Sequence, residues 1–141
     1  MKIMLDKGAK MPTRAHPWDA GLDLYAPMEE GLWMISPAGG NITIDTGVHM
    51  QIPEGCVGFI KAKSGLNVKH GLTCTGVIDA HYTGSIAVKL YNHHPCLRYD
   101  VRPGDKIAQL VIVPCLLPEL ELVDSLEETD RGDNGFGSTG R

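Results

Sequence analysis

The amino-acid sequence predicts a mostly β fold, a sandwich or barrel of short strands, on three observations. Apolar runs of strand length recur between Gly, Pro and Asn. One of them, Ser85 to Tyr91, alternates strictly and puts Ile86, Val88 and Leu90 on one face. No stretch sustains a helical period. Alternation with a period of two marks a half-buried strand, because successive side chains point to opposite faces of a sheet.

In chain order, Ile42-Thr43-Ile44, Cys56 to Ile60, Ser85 to Tyr91 and Lys106 to Val113 read as strands. Prolines at 37, 53, 95, 103, 114 and 118 fall between these runs or at their ends, where a missing N–H does not break a ladder. One short helix is expected, with Ser64 as its cap, Leu66 to His70 as its body and Gly71 as its stop. The stretch from Gly76 to Gly84 reads as a hairpin, with Asp79 directly after the apolar pair Val77-Ile78. From about Glu127 the composition turns acidic and then glycine-rich, with too little apolar surface to pack alone. The domain reading is one β domain over residues 1–126, followed by a mobile glycine-rich arm of that domain, 127–141.

Length and charge limit what such a domain does. A chain of 141 residues, 43% apolar, fits a single domain with its own core. No apolar run reaches membrane-spanning length, and Met1 to Asp6 breaks into charge too early for a signal peptide. A cytoplasmic location away from the membrane is the default expectation. The net charge of −4, without a basic block, disfavours nucleic acid as a partner. Four scattered cysteines without a C-x-x-C pair are expected to be reduced, buried packing residues.

Five stretches offer chemistry. In the segment from Arg131 to Gly140, glycines let backbone N–H groups converge on an anion, and Ser138 and Thr139 add donors. There Arg131 can fork onto phosphate oxygens, and Phe136 has no core to join and is free to stack on a base. Lys63-Ser64-Gly65 leads from a strand into the short helix, a cation beside a helix start. Asp79 is placed to orient and deprotonate a water, with Tyr82 nearby. Gln109 interrupts an apolar strand and needs a partner, backbone or ligand. Asp23 lies beside Gly21 and is suited to a hydrated Mg²⁺. Each has a plainer alternative as a cap, a turn or a solvated charge. His93-His94 reads as a loop pair rather than a metal site, and Trp18 as local packing.

The order of these stretches is more specific than any one of them. Ala20-Gly21-Leu22-Asp23-Leu24, Lys63-Ser64-Gly65-Leu66, Gly76-Val77-Ile78-Asp79 with Tyr82 and Gly84, Gly104 to Leu110, and Arg131 to Gly140 resemble the five successive motifs of the trimeric dUTPase family. The resemblance runs from residue 20 to the end of the chain. It implies a single-domain all-β jelly roll with one short helix and a C-terminal lid, assembled as a homotrimer whose active sites are shared between subunits. It implies hydrolysis of dUTP to dUMP and pyrophosphate, limiting uracil in DNA and supplying dUMP for dTTP synthesis.

The resemblance also assigns roles. Asp79 is the general base for the water attacking the α-phosphorus. Lys63, Ser64, Gly65, Gln109, Arg131, Gly137, Ser138 and Thr139 bind phosphate. Thr73, Gly76, Ile78, Tyr82 and Phe136 take the uracil and deoxyribose, Tyr82 leaving no room for a ribose hydroxyl. Mg²⁺ rides on the triphosphate with Asp23 in its outer shell. The chain departs from the family at Lys63, where Arg is usual and would offer a bidentate fork. A dCTP deaminase of the same fold would need a buried glutamate beside the base, and Glu54, in what reads as a turn, is a poor one. A regulatory binding protein on this fold is the rival from another class. Nothing in the sequence indicates its protein partner, and Asp79 with an intact lid argues against a catalytically dead version.

Overall fold

The computed structural model describes residues 1–29, 31–130 and 132. Two four-stranded antiparallel sheets face each other. The first runs β1 (Ile3–Leu5), β4 (Gly40–Met50), β8 (Ser85–Asn92), β6 (Leu72–Thr73) in spatial order. The second runs β2 (Gly21–Tyr25), β10 (Lys106–Pro114), β5 (Cys56–Lys61), β7 (Thr75–Ile78). A small ribbon pairs β3 (Trp33–Ile35) with β9 (Tyr99–Val101), and one helix, α1, covers Ser64–His70. Strands distant in sequence lie side by side, as in a jelly roll.

The core lies between the sheets. The face predicted for β8 is there: Ile86, Val88 and Leu90 are buried, while Ala87 and Lys89 point out. They meet Leu24, Ile60, Ile107 and Leu110 from the second sheet. The runs from Cys56 and Lys106 form strands at the expected places.

Several expectations change. The strand at Ile42 extends to Met50, because a bulge absorbs its polar stretch. Register with β8 shifts between Asp45 and His49, and Thr46 Oγ1 donates 2.7 Å to the Ile86 carbonyl. The hairpin expected from Gly76 to Gly84 is not a paired hairpin: β7 bonds β5 and β8 bonds β4, so Asp79 to Gly84 crosses from one sheet to the other. Ser64 is not a cap. The helix starts at Ser64, Lys63 occupies the cap position, and no side chain caps it there. Gly71 does stop it, at φ 67°, with its N–H bonded to the Asn67 carbonyl. All four cysteines are free, but only Cys74 is buried, and Cys96 is exposed. Trp18 does not pack, being 96% exposed. His93 and His94 follow β8 in a loop as read. Among the described residues, no helix is long and apolar enough to cross a membrane.

Candidate active site

Asp23 is flanked along β2 by the buried Leu22 and Leu24, and it is itself only 5% exposed. A carboxylate there requires partners. Its Oδ1 takes a short hydrogen bond from Lys63 Nζ, and its Oδ2 lies 2.7 Å from Lys106 Nζ. Burial pushes this carboxyl up, but the hydrogen bonds and charges of Lys106 and Lys63 outweigh it and hold the group below its ordinary value. The hydrogen bond to Asp23, and its charge, raise Lys106 in turn.

Antiparallel register sets Gln109 of β10 opposite Asp23 of β2 and Lys61 of β5. Its Nε2 donates 3.1 Å to the carbonyl of Ala62, just before the exposed Ser64 and Gly65. Gly21, Asp23, Lys63 and Gln109 share the wall of a cavity of about 250 Å³. Space around Gly65 is open, since a Cβ there would meet nothing within 4 Å. Two ammonium groups, an amide and an exposed hydroxyl thus gather where β5 ends, a set of donors suited to an anion.

The second set lies elsewhere. Asp79 is exposed just after β7 and lines a cleft of about 600 Å³ with Glu54, His81 and Cys115. Tyr82 N–H bonds the Asp79 carbonyl at 3.1 Å, which closes the turn. The Tyr82 hydroxyl donates 2.9 Å to the Ser85 carbonyl. Its ring occupies the space over Gly84, where a Cβ would stand 2.4 Å from the hydroxyl. Thr73 Oγ1 pairs with His93 Nε2 at 2.7 Å. Gly76 gives room to Ile60, and Ile78 is buried, so these two present backbone rather than side chain to any ligand.

Strand pairing keeps the two sets apart within one chain. β5 runs from Cys56 to Lys61 with β7 antiparallel beside it, Lys61 opposite Thr75 and Gly58 opposite Ile78. Lys63 follows one end of β5 and Asp79 lies beside the other, a separation of roughly 15–20 Å at about 3.3 Å per residue. Arg131, Phe136, Gly137, Ser138 and Thr139 lie outside the described residues. Lys106 is a member of the first set that sequence reasoning missed. The available signal was a carboxylate inside the apolar run Leu22-Asp23-Leu24, which needs cations from neighbouring strands.

Comparison with known proteins shows the family. The dUTPase family model matches residues 7–140. The deoxyuridine 5'-triphosphate nucleotidohydrolase of Rabbitpox virus (strain Utrecht) is 46% identical over 132 residues, which is 94% of this chain and 86% of that protein. The probable deoxyuridine 5'-triphosphate nucleotidohydrolase of Schizosaccharomyces pombe is 42% identical, covering 96% and 94%. Among solved structures, the dUTPase of Staphylococcus bacteriophage 80alpha with dUPNHPP superposes with a TM-score of 0.88 at 34% identity, over 99% of this chain and 98% of that one. The chain belongs to the dUTPase family.

Proposed function

We propose that Asp79 is the general base in a site assembled from more than one copy of this chain, as follows. The chain hydrolyses dUTP to dUMP and pyrophosphate. Asp79 takes the proton of a water that attacks the α-phosphorus, and the bond to the pyrophosphate oxygen breaks. Lys63, Ser64, Gly65 and Gln109 hold the phosphates from a neighbouring copy. Tyr82 packs on the deoxyribose, and Thr73 with the backbone of Gly76 and Ile78 faces the uracil.

The observation that carries this reading is the separation along β5. The α-phosphorus must be within one water of the base, while the β- and γ-phosphates extend only a few ångströms further. The pairing along β5 therefore favours a site in which Asp79 and Lys63 reach one triphosphate from different copies. The exposed Leu116, Leu117, Leu120, Leu122 and Leu126 add apolar surface that a single copy leaves uncovered. Both facts support an assembly of several copies, which we read as the homotrimer.

Magnesium belongs to the substrate, as Mg·dUTP, and supplies charge neutralisation on the phosphates. Among the described residues no group of three or more His, Cys, Asp or Glu is placed to hold an ion. We read the metal as one that arrives on the triphosphate with its waters, one of which would meet a free lone pair of Asp23. Residues 127–141 serve as the lid, with Arg131, Ser138, Thr139 and the backbone of Gly137 toward phosphate and Phe136 over the uracil.

Subunit complementation tests the reading. Asp79→Asn should lower pyrophosphate release by roughly 10³-fold without unfolding the chain. Gln109→Ala should weaken phosphate binding from the other side. Co-refolded mixtures of the two variants should regain activity that neither has alone. Equal inactivity of the mixture would mean that each site is built within one chain.

A further inference from the structure

His49 lies at the end of the bulge in β4, where the register shift turns it toward the segment joining β7 to β8. Its Nδ1 lies 2.8 Å from the Thr83 carbonyl oxygen, and its Nε2 lies 3.1 Å from Asp6 Oδ2. Both partners only accept hydrogen bonds, so both ring nitrogens must carry a proton. A neutral imidazole has one N–H and satisfies one partner; the imidazolium satisfies both.

The surrounding geometry is built to hold this arrangement. Gly47, at φ 63°, puts its carbonyl 2.8 Å from the Asp6 N–H, while a Cβ on it would press on Ala9 and Asp6. The next residue but one before it, Asp45, takes a short hydrogen bond from Ser85 Oγ. The Ser85 carbonyl in turn accepts the Tyr82 hydroxyl. The turn that carries Tyr82, Thr83 and Gly84 is thus tied to β4 on one side by His49 and on the other by Asp45.

We propose that His49, as a doubly donating imidazolium between Asp6 and Thr83, is a positioning residue that fixes the Tyr82 turn for the nucleoside and releases it when the ring loses a proton. The inference rests on the assignment of the Tyr82 turn to the nucleoside. The charged groups around the ring are Asp6 after β1 and Asp45 on β4, both favouring the cation, and Lys2, which lines one cavity of about 210 Å³ with His49 and Thr83. The bond to the Thr83 carbonyl, then that to Asp6, raise the imidazole above its ordinary value of 6.5. The clamp is therefore complete below that value and keeps only one of its two bonds as pH rises through the raised one.

The experiment combines nitrogen-detected NMR of the His49 ring with the pH dependence of KM for Mg·dUTP. The proteins are the wild type, His49→Gln, Asp6→Asn and Tyr82→Ala. Ionisation of the substrate is common to all and cancels in the ratio of each variant to wild type. Both ring nitrogens should be protonated below the ordinary value of 6.5. His49→Gln should raise KM roughly threefold at low pH, the scale of a partly exposed ion pair, with kcat little changed. At high pH the ratio should approach one. Asp6→Asn should move the NMR titration and the break in KM downward together.

A ring already neutral below pH 6.5, or a KM ratio independent of pH, would overturn the proposal. A normal KM in Tyr82→Ala would show instead that the turn does not meet the nucleoside. That result would overturn the nucleoside assignment and the proposal with it, whatever the ring titration showed. A raised KM in Tyr82→Ala beside an unchanged KM in His49→Gln would overturn the role of His49 alone.

Discussion

Gly21 and Gln109 occupy one space: a Cβ added to Gly21 would stand 2.1 Å from Gln109 Oε1 and 3.1 Å from its Cβ. The amide end of Gln109 could swing aside, but its Cβ is fixed by β10. Gly21→Ala should therefore force the amide off the Ala62 carbonyl and strain the pairing of β2 with β10. The expected cost is about 1–3 kcal/mol of stability, the usual range for overpacking. Urea denaturation measures it, and KM for Mg·dUTP should rise alongside. An unchanged midpoint and KM would show that the amide is not held there.

Asp23 is held charged between two lysines, with its carboxyl below the ordinary value of 3.8. Its contribution to stability is thus fully present above that value and is lost as pH falls through the lowered one. Asp23→Ala should cost about 1–3 kcal/mol near neutrality, less than a fully buried pair because both lysines are partly exposed. The difference from wild type should shrink toward the acid end. A cost that stayed constant through acid would mean that packing, not charge, is what Asp23 supplies.

Tyr82 is 45% exposed, and its ring fills the place a side chain on Gly84 would take. Tyr82→Ala should open that space and reduce the preference for dUTP over UTP, from roughly 10²-fold toward unity. Gly84→Ala should have a related effect by displacing the ring. Tyr82→Phe loses only a partly exposed hydrogen bond and should keep the preference. Competition assays with the two nucleotides separate these outcomes.

The cysteines should differ sharply in reactivity. Burial pushes the Cys74 thiol up to about 11, against a small opposing effect of Lys61. Its thiolate is then scarce at neutral pH, and the thiolate is the reactive form. Iodoacetamide should label exposed Cys96 first and Cys74 only after unfolding, as mass spectrometry of the folded protein would report. Early labelling of Cys74 would mean that the junction between β6 and β7 opens readily.

Strands with clean alternation were legible in the sequence. The positions of Ile86, Val88 and Leu90 follow from period two alone, and the run from Lys106 needed only its turn and its apolar length. Strand partners were not legible. Nothing local to Val77 or Ser85 says that their strands belong to different sheets, because that choice is made by packing across the whole domain. The same limit hid Lys106 and His49. Each gains its partner from a segment far away in sequence, and His49 does so only after a bulge turns it. The glycines were informative where a backbone angle demanded them, as Gly71 did, but Gly21 and Gly84 are there for a neighbour's side chain.

The division of the chemistry across β5 has a genetic consequence. Where the base of one chain works on a triphosphate held by another, a defective allele is not confined to its own product. In a cell expressing both, the proposed assembly would take up dead chains and lose sites to which a sound chain had contributed. Two alleles broken at opposite ends of β5, by contrast, can restore one another.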